Sequence, residues 1–360
     1  MEKLKSVFGT YAERLQVMVD TAQDRFSKTW FQDYFDFGTP TTSLTFVTAI
    51  GRSRVEAAAS IVDRDGKTPI RSRQGLEKLT GEVPAIKEMF KMSDKDYRDF
   101  LTLQQMSVSD EVKKRQLLDL MFNDTKKVGE SAMKRLDIMC LEAVSTGKIT
   151  VTTANNPDGI VAPMEIDLLM PAINRQTSAA VWSDPINAKP VTDLNNVVNI
   201  AQGAGKSFGK IMMSRSKFLQ MSATVEVRNM VSGFLRINSK EQVNPTFAQL
   251  NDYLQANLLP VIVLVDQVVG VEADGVIKNI RPFAEESVVF VPDGKLGVIH
   301  NAVAIESLRP VSGVAYATFN NALISKWSQN EPFGEYTKVE LNAFPGVEAI
   351  DGIFILKTTI

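Results

Sequence analysis

The sequence predicts an α+β fold, and three observations carry that prediction. Val128, Ala132, Leu136, Met139 and Ala143 step by four, four, three and four, which lays one apolar stripe along a long helix. The run from Pro260 to Val271 is almost continuously apolar, as a buried strand is. The stretch from Thr337 to Ile360 alternates as strands do. Length and composition agree with this. The chain has 360 residues, enough for two ordinary domains or one large elaborated one, and is 44% hydrophobic and 23% charged, a globular balance.

The elements follow in order. Glu2 to Phe31 reads as an amphipathic helix or arm, with Leu4, Phe8, Leu15, Met18, Val19, Ala22 and Phe26 near helical spacing. Five aromatics (Trp30, Phe31, Tyr34, Phe35 and Phe37) then crowd into eight residues before a Gly-Thr-Pro break. So much aromatic surface must be buried, either as a core anchor under a loop or against a partner. From Leu44 the character becomes extended, with a turn signal at Asp65-Gly66. Ser43 to Met92 therefore reads as a long hairpin. Its apolar residues are few, and Arg52, Arg54, Arg64, Lys67, Arg71, Arg73 and Lys78 crowd it. It is either a solvated loop or an arm for a neighbouring subunit, where its cations meet carboxylates.

Ser107 or Ser109 caps the long helix, which Gly147 ends, and Lys148 begins a strand. Cys140 sits beside the apolar stripe as a core thiol. Gly129 within the helix costs about 1 kcal/mol relative to alanine. After Trp182 a second region begins. Thr192 or Asp193 caps a helix through Gln202, Ser214 caps another through Phe234, and Asn244-Pro245 opens a third. Asp274-Gly275 turns the chain between strands, and Ser287 to Ile299 gives another strand and turn. The carboxy-terminal strands return to the first region's sheet.

Composition excludes several function classes. With 40 Lys+Arg against 42 Asp+Glu, the net charge of −2 gives no global field for nucleic acid or an anionic membrane. The single cysteine excludes an internal disulfide framework, and His300 is the only histidine for a metal site or a triad. Leu258 to Val271 is interrupted by Pro260 and Asp266, too short and too polar to span a bilayer. The first sixteen residues lack a signal peptide's apolar core and cleavage site, so synthesis in the cytosol is expected. Gly203-Ala204-Gly205-Lys206-Ser207 suggests a phosphate loop, but Ile200 stands where its first glycine belongs. A helix precedes that loop and a strand follows, the reverse of what phosphate binding needs. Glu285-Glu286 reads as a solvated turn. No catalytic, cofactor or metal residue is assigned.

The order of these features resembles the lambda-type major capsid protein E family of tailed double-stranded-DNA phages. The matching stretches are Lys134 to Val151, Glu165 to Pro171, Val181 to Leu194, Pro260 to Ile299 and Trp327 to Thr358. The resemblance implies the Hong Kong 97-type capsid fold. Residues 1–42 would be the amino-terminal arm, 43–92 the E-loop hairpin and 93–183 the peripheral domain with its spine helix at 109–147. Residues 184–327 would form the axial domain and 328–360 the return strands. It also implies a non-enzymatic head protein assembling as hexamers and pentamers into an icosahedral virion shell in the host bacterial cytoplasm. Its partners would be its own copies, a portal protein and packaged DNA held without sequence preference, with a decoration protein left open and no membrane. The absence of a long acidic prefix implies a separate scaffolding protein. No covalent cross-link is carried over. The inter-subunit contact candidates are Trp30, Phe31, Tyr34, Phe35, Arg64, Lys67, Arg71 and Arg73. A homo-oligomeric binding module, or a nucleotide-binding enzyme using Gly203–Ser207, are the competing readings.

Overall fold

A computed structural model describes residues 15–21, 23–50, 77–105, 110–157, 159, 164–235, 244–273, 275–331 and 333–359. The described part of the arm opens with α1 (Leu15–Thr21), in which Leu15, Met18 and Val19 are buried. It does not continue as one helix to Phe31. A short 3-10 turn at Gln23–Arg25 is followed by α2 (Phe31–Tyr34) and β1 (Phe35–Phe37). The break has a physical reason: it frees the N–H groups of Trp30 and Phe31, and the Asp137 carboxylate accepts both, at 3.2 and 2.8 Å.

Strand β2 (Thr45–Ile50) pairs with β3 (Glu77–Glu82), and its alternation turns Phe46, Thr48 and Ile50 inward. The expected hairpin is shorter at its carboxy-terminal end, because β4 (Ala85–Met92) leaves it after Pro84 to join a larger sheet. Helix α3 (Asp94–Gln105) escaped the sequence reading. Its signal was Ser93-x-x-Asp96: Ser93 Oγ accepts from Asp96 N–H, while Asp96 Oδ2 accepts from Ser93 N–H and O–H.

Helix α4 (Asp110–Thr146) is 37 residues long. Val128, Ala132, Leu136, Met139, Cys140 and Ala143 are all buried, as the stripe required. The expected caps Ser107 and Ser109 lie outside the described residues. Gly129 is explained by its neighbours, since an added Cβ would stand 3.2 Å from both Phe26 and Phe319, whose rings stack at 3.9 Å. Gly147 ends the helix in the left-handed region, at φ 71°.

Next come β5 (Lys148–Val151), β6 (Met164–Asp167) and β7 (Arg175–Thr177). Helix α5 (Pro190–Gly203) starts earlier than predicted, because Pro190 at its first position already holds a helical φ. Thr192 and Asp193 are therefore within its first turn and do not cap it. Strand β8 (Lys210–Met213) leads to α6 (Arg215–Ala223), which Ser214 caps as expected. The helix predicted to reach Phe234 is two, because Thr224 caps a separate α7 (Val225–Phe234). Thr246 and Gln249 form a reciprocal capping box on α8 (Phe247–Ala256).

The apolar run splits into β9 (Val261–Leu264) and β10 (Val269–Ala273). Asp266 lies between them and accepts from the Arg215 N–H at 2.8 Å, at the start of α6. Strand β11 (Val276–Ile280) hairpins back on β10, and β12 (Ser287–Val291) and β13 (Gly297–Ala302) follow. The remaining elements are α9 (Ile305–Leu308), β14 (Ala315–Phe319), β15 (Ala322–Gln329), β16 (Gly334–Gly346) and β17 (Phe354–Lys357). Asn320 and Asn321, at φ 45° and 65°, make the tight turn between β14 and β15.

Contacts divide the chain into two units. One takes the described residues up to Phe46, then Gly81 to Asp137 and Val298 to Gly346; the other takes the rest. The first unit's sheet runs β1-β13-β16-β15-β14, with β4 also on β16. Asn342 pairs with Ala302 on β13 and with Ala85 on β4, so β4 lies across β16 from β13. Residues 298–327, expected with the axial region, thus fall in the first unit, with β13, β14 and β15 in its sheet. The reason is β16, whose backbone ladder binds β13 and β15 along its length.

The second unit holds the sheet β7-β17-β12-β8-β9, parallel at β17–β7 and β8–β9. Its core joins that sheet to α5–α8 through Trp182, Leu194, Val197, Met221, Leu250, Phe290 and Phe354. The carboxy-terminal strands accordingly divide: β16 lies in the first unit's sheet, whereas β17 belongs to the second.

Candidate functional site

The residues with chemical potential are engaged in holding the fold. In the 203–207 loop, the Lys206 N–H donates to Ala201 C=O and the Gly205 N–H to Gln202 C=O, which closes the end of α5. The Lys206 ammonium donates to the Asp351 backbone carbonyl and lies 3.8 Å from that residue's carboxylate. This is a helix-terminating turn. His300 is on β13, where Phe46 stacks against it at 5.3 Å and against Phe344 at 4.6 Å. Glu285 pairs with Arg281 at 2.7 Å, and Glu286 holds the buried Lys217 at 2.9 Å. Among the described residues, no group of three or more His, Cys, Asp or Glu side chains could hold a metal ion. Nor is any described helix long and apolar enough to cross a membrane.

Of the eight contact candidates, Trp30, Phe31 and Phe35 are buried within the chain's own first unit. They serve as the core anchor, and Asp137 beneath them is the reason. Tyr34 is half-buried and stacks on Trp30 at 4.6 Å. Arg64, Lys67, Arg71 and Arg73 lie outside the described residues, as does the Asp65-Gly66 turn. The reading from sequence missed other exposed apolar side chains. Ile305 and Leu308 lie on α9 and Val311 shortly after it, and Val276 and Ile277 lie on β11. Exposed apolar residues on short, irregular elements carry no periodicity by which to find them.

Two buried carboxylates have shifted acidity. Burial pushes Asp137 up to about 6, against the pull of the Phe31 and Trp30 N–H groups. Burial likewise pushes Glu142 up to about 7; the Thr150 N–H opposes this and Glu165 adds to it. Both groups hold protons more tightly folded than unfolded. Their contribution therefore favours the fold at lower pH and fades as pH rises through the folded values. Stability should fall between about pH 4 and pH 7 from this source. Asp137→Asn and Glu142→Gln should each flatten the slope of denaturation midpoint against pH; an unaltered slope in both would contradict the assignment.

No protein-family model and no curated protein sequence matches the chain. Solved structures do. A prophage protein of E. coli CFT073 assigned as its capsid protein superposes with a TM-score of 0.59 at 16% identity, over 96% of this chain and 99% of that one. A phage-related protein from Bordetella bronchiseptica RB50 gives 0.51 at 12% identity, over 96% and 98%. The likeness spans both units and the segments that join them. The chain has the mixed α+β Hong Kong 97-type fold seen in phage capsid structures.

Proposed function

We propose that this chain is the major capsid protein of a tailed double-stranded-DNA phage, a structural subunit that tiles a closed shell as hexamers and pentamers. The observation that carries this reading is the extent of the fold match, which runs through nearly the whole chain. On this reading the first unit supplies the peripheral sheet beside the spine helix, and α5–α8 with their sheet supply the axial domain. The exposed groups at Ile305, Leu308 and Val311 and at Val276 and Ile277 become surfaces for neighbouring copies. Arg64, Lys67, Arg71 and Arg73 on the 43–92 hairpin remain candidates for meeting a neighbour's carboxylates. A scaffolding protein, a portal protein and non-specifically held DNA complete the partners, in a virion assembled in the host cytoplasm. Catalytic turnover has no place in it, and the engagement of Lys206 by Asp351 supports that view.

Electron microscopy of the chain expressed with its neighbouring gene products should reveal closed shells of uniform size. Trypsin should cut at Arg64, Lys67, Arg71 and Arg73 readily in unassembled chain and slowly in particles. Small discrete oligomers alone would overturn the shell reading. So would ATP or GTP hydrolysis that disappears in Lys206→Ala.

A further inference from the structure

The first unit's sheet ends in three strands, β4 on one side of β16 and β1 and β14 on the other. Among the described strands, β14 pairs only with β15, and β4 only with β16. An edge strand offers a row of N–H and C=O groups to any extended chain that approaches. On β4 the phase of the ladder is set by the hydrogen bond from Ala343 N–H to Pro84 C=O, at 3.2 Å. Through the paired register, the N–H groups of Ile86, Glu88, Phe90 and Met92 face β16. Those of Ala85, Lys87, Met89 and Lys91 face the outer edge.

The β14 edge is treated differently. Helix α1 lies against it, held by buried Leu15, Met18 and Val19. From that helix the Gln16 side-chain amide reaches both outward groups of Thr318. Gln16 Oε1 accepts from the Thr318 N–H at 2.7 Å, and Gln16 Nε2 donates to the Thr318 C=O at 3.2 Å. Asp20 Oδ1, one turn along α1, accepts from the same Nε2 at 2.8 Å and fixes the amide's orientation. One acceptor and one donor on a planar amide stand in for the C=O and N–H that the opposed residue of an added antiparallel strand would offer. A helix carrying that amide cannot extend the ladder, so pairing stops there.

We propose that Gln16 is an edge guard, occupying β14 where the β4 edge of another copy would otherwise pair. Joining β14 of one copy to β4 of the next is a head-to-tail contact. Each addition would leave a fresh edge of the same kind, and the product would be an open ribbon. The guard thereby removes an association that competes with any closed assembly, and the inference does not depend on the shell reading.

The test uses the full-length chain carrying Gln16→Ala, which leaves the apolar anchors of α1 in place. Hydrogen exchange at the Thr318 amide should quicken about tenfold, the worth of one backbone hydrogen bond. Sedimentable, thioflavin-positive ribbons should form at concentrations where the parent stays dispersed. Adding Met89→Pro removes an outward N–H from β4 without touching the β16 ladder, and should abolish the ribbons. Unchanged exchange at Thr318 would overturn the contact. Faster exchange without ribbons, or ribbons indifferent to Met89→Pro, would overturn the guard.

Discussion

Replacing Lys326 with methionine should destabilise the fold by about 3–5 kcal/mol. The Lys326 ammonium lies 2.9 Å from the Glu335 carboxylate, and both side chains are only 3% exposed. They stand on adjacent strands, β15 and β16. Removing one partner leaves the other as an uncompensated charge away from water, which is the expensive outcome. Asp124 on α4 sharpens the effect. Burial holds its carboxyl above the usual range, and Lys326 is the largest of the charges opposing that shift. The single substitution therefore strands two acidic groups. Lys326→Met with Glu335→Leu should recover most of the loss, because an apolar pair of similar volume carries no desolvation penalty. Chemical denaturation of the two variants decides the matter. A Lys326→Met midpoint equal to the parent's would show that water reaches the pair.

Trp182→Ala should be comparably damaging, at about 3–5 kcal/mol. The side chain is 1% exposed and belongs to the second unit's core. Its indole N–H also donates to Asp193 Oδ2 at 2.9 Å, inside the first turn of α5. Truncation opens a cavity and takes a hydrogen bond from a buried carboxylate together. Trp182→Phe separates the two effects. It retains most of the volume and should lose about 1–3 kcal/mol, the penalty of leaving a buried polar group unpaired. If the phenylalanine variant is as unstable as the alanine one, the Asp193 bond outweighs packing. Equality of phenylalanine with the parent would remove the bond from the account.

These sites show where sequence reading succeeds. The α4 stripe was legible because a helix repeats its buried face every three or four residues, and each position constrains the next. The capping of α6 by Ser214 was legible for the same local reason. The placement of β4 was not, since its partner β16 lies some 250 residues along the chain, where Met92 meets Glu335. No local pattern in Ala85–Met92 names that partner. The aromatics left a choice open that only the structure closes. Trp30, Phe31 and Phe35 must be buried somewhere, but hydrophobicity alone does not distinguish burial within a chain from burial between chains. Asp137, a hundred residues away, makes the choice by accepting the two N–H groups at the start of α2. Asp193 was likewise misread as a cap, because nothing local reveals that it serves an indole N–H.

The burial of Cys140 has a practical consequence. It is the chain's only thiol, and its sulfur sits within the tightly packed face of α4, shielded from solvent. A cysteine introduced on an exposed site, such as Met89, will be the sole group open to maleimide chemistry in the native protein. Fluorophores, spin labels or heavy-atom clusters can then be attached at one chosen position per subunit without first deleting the natural residue. Pairs of such positions would report distances within and between copies during association.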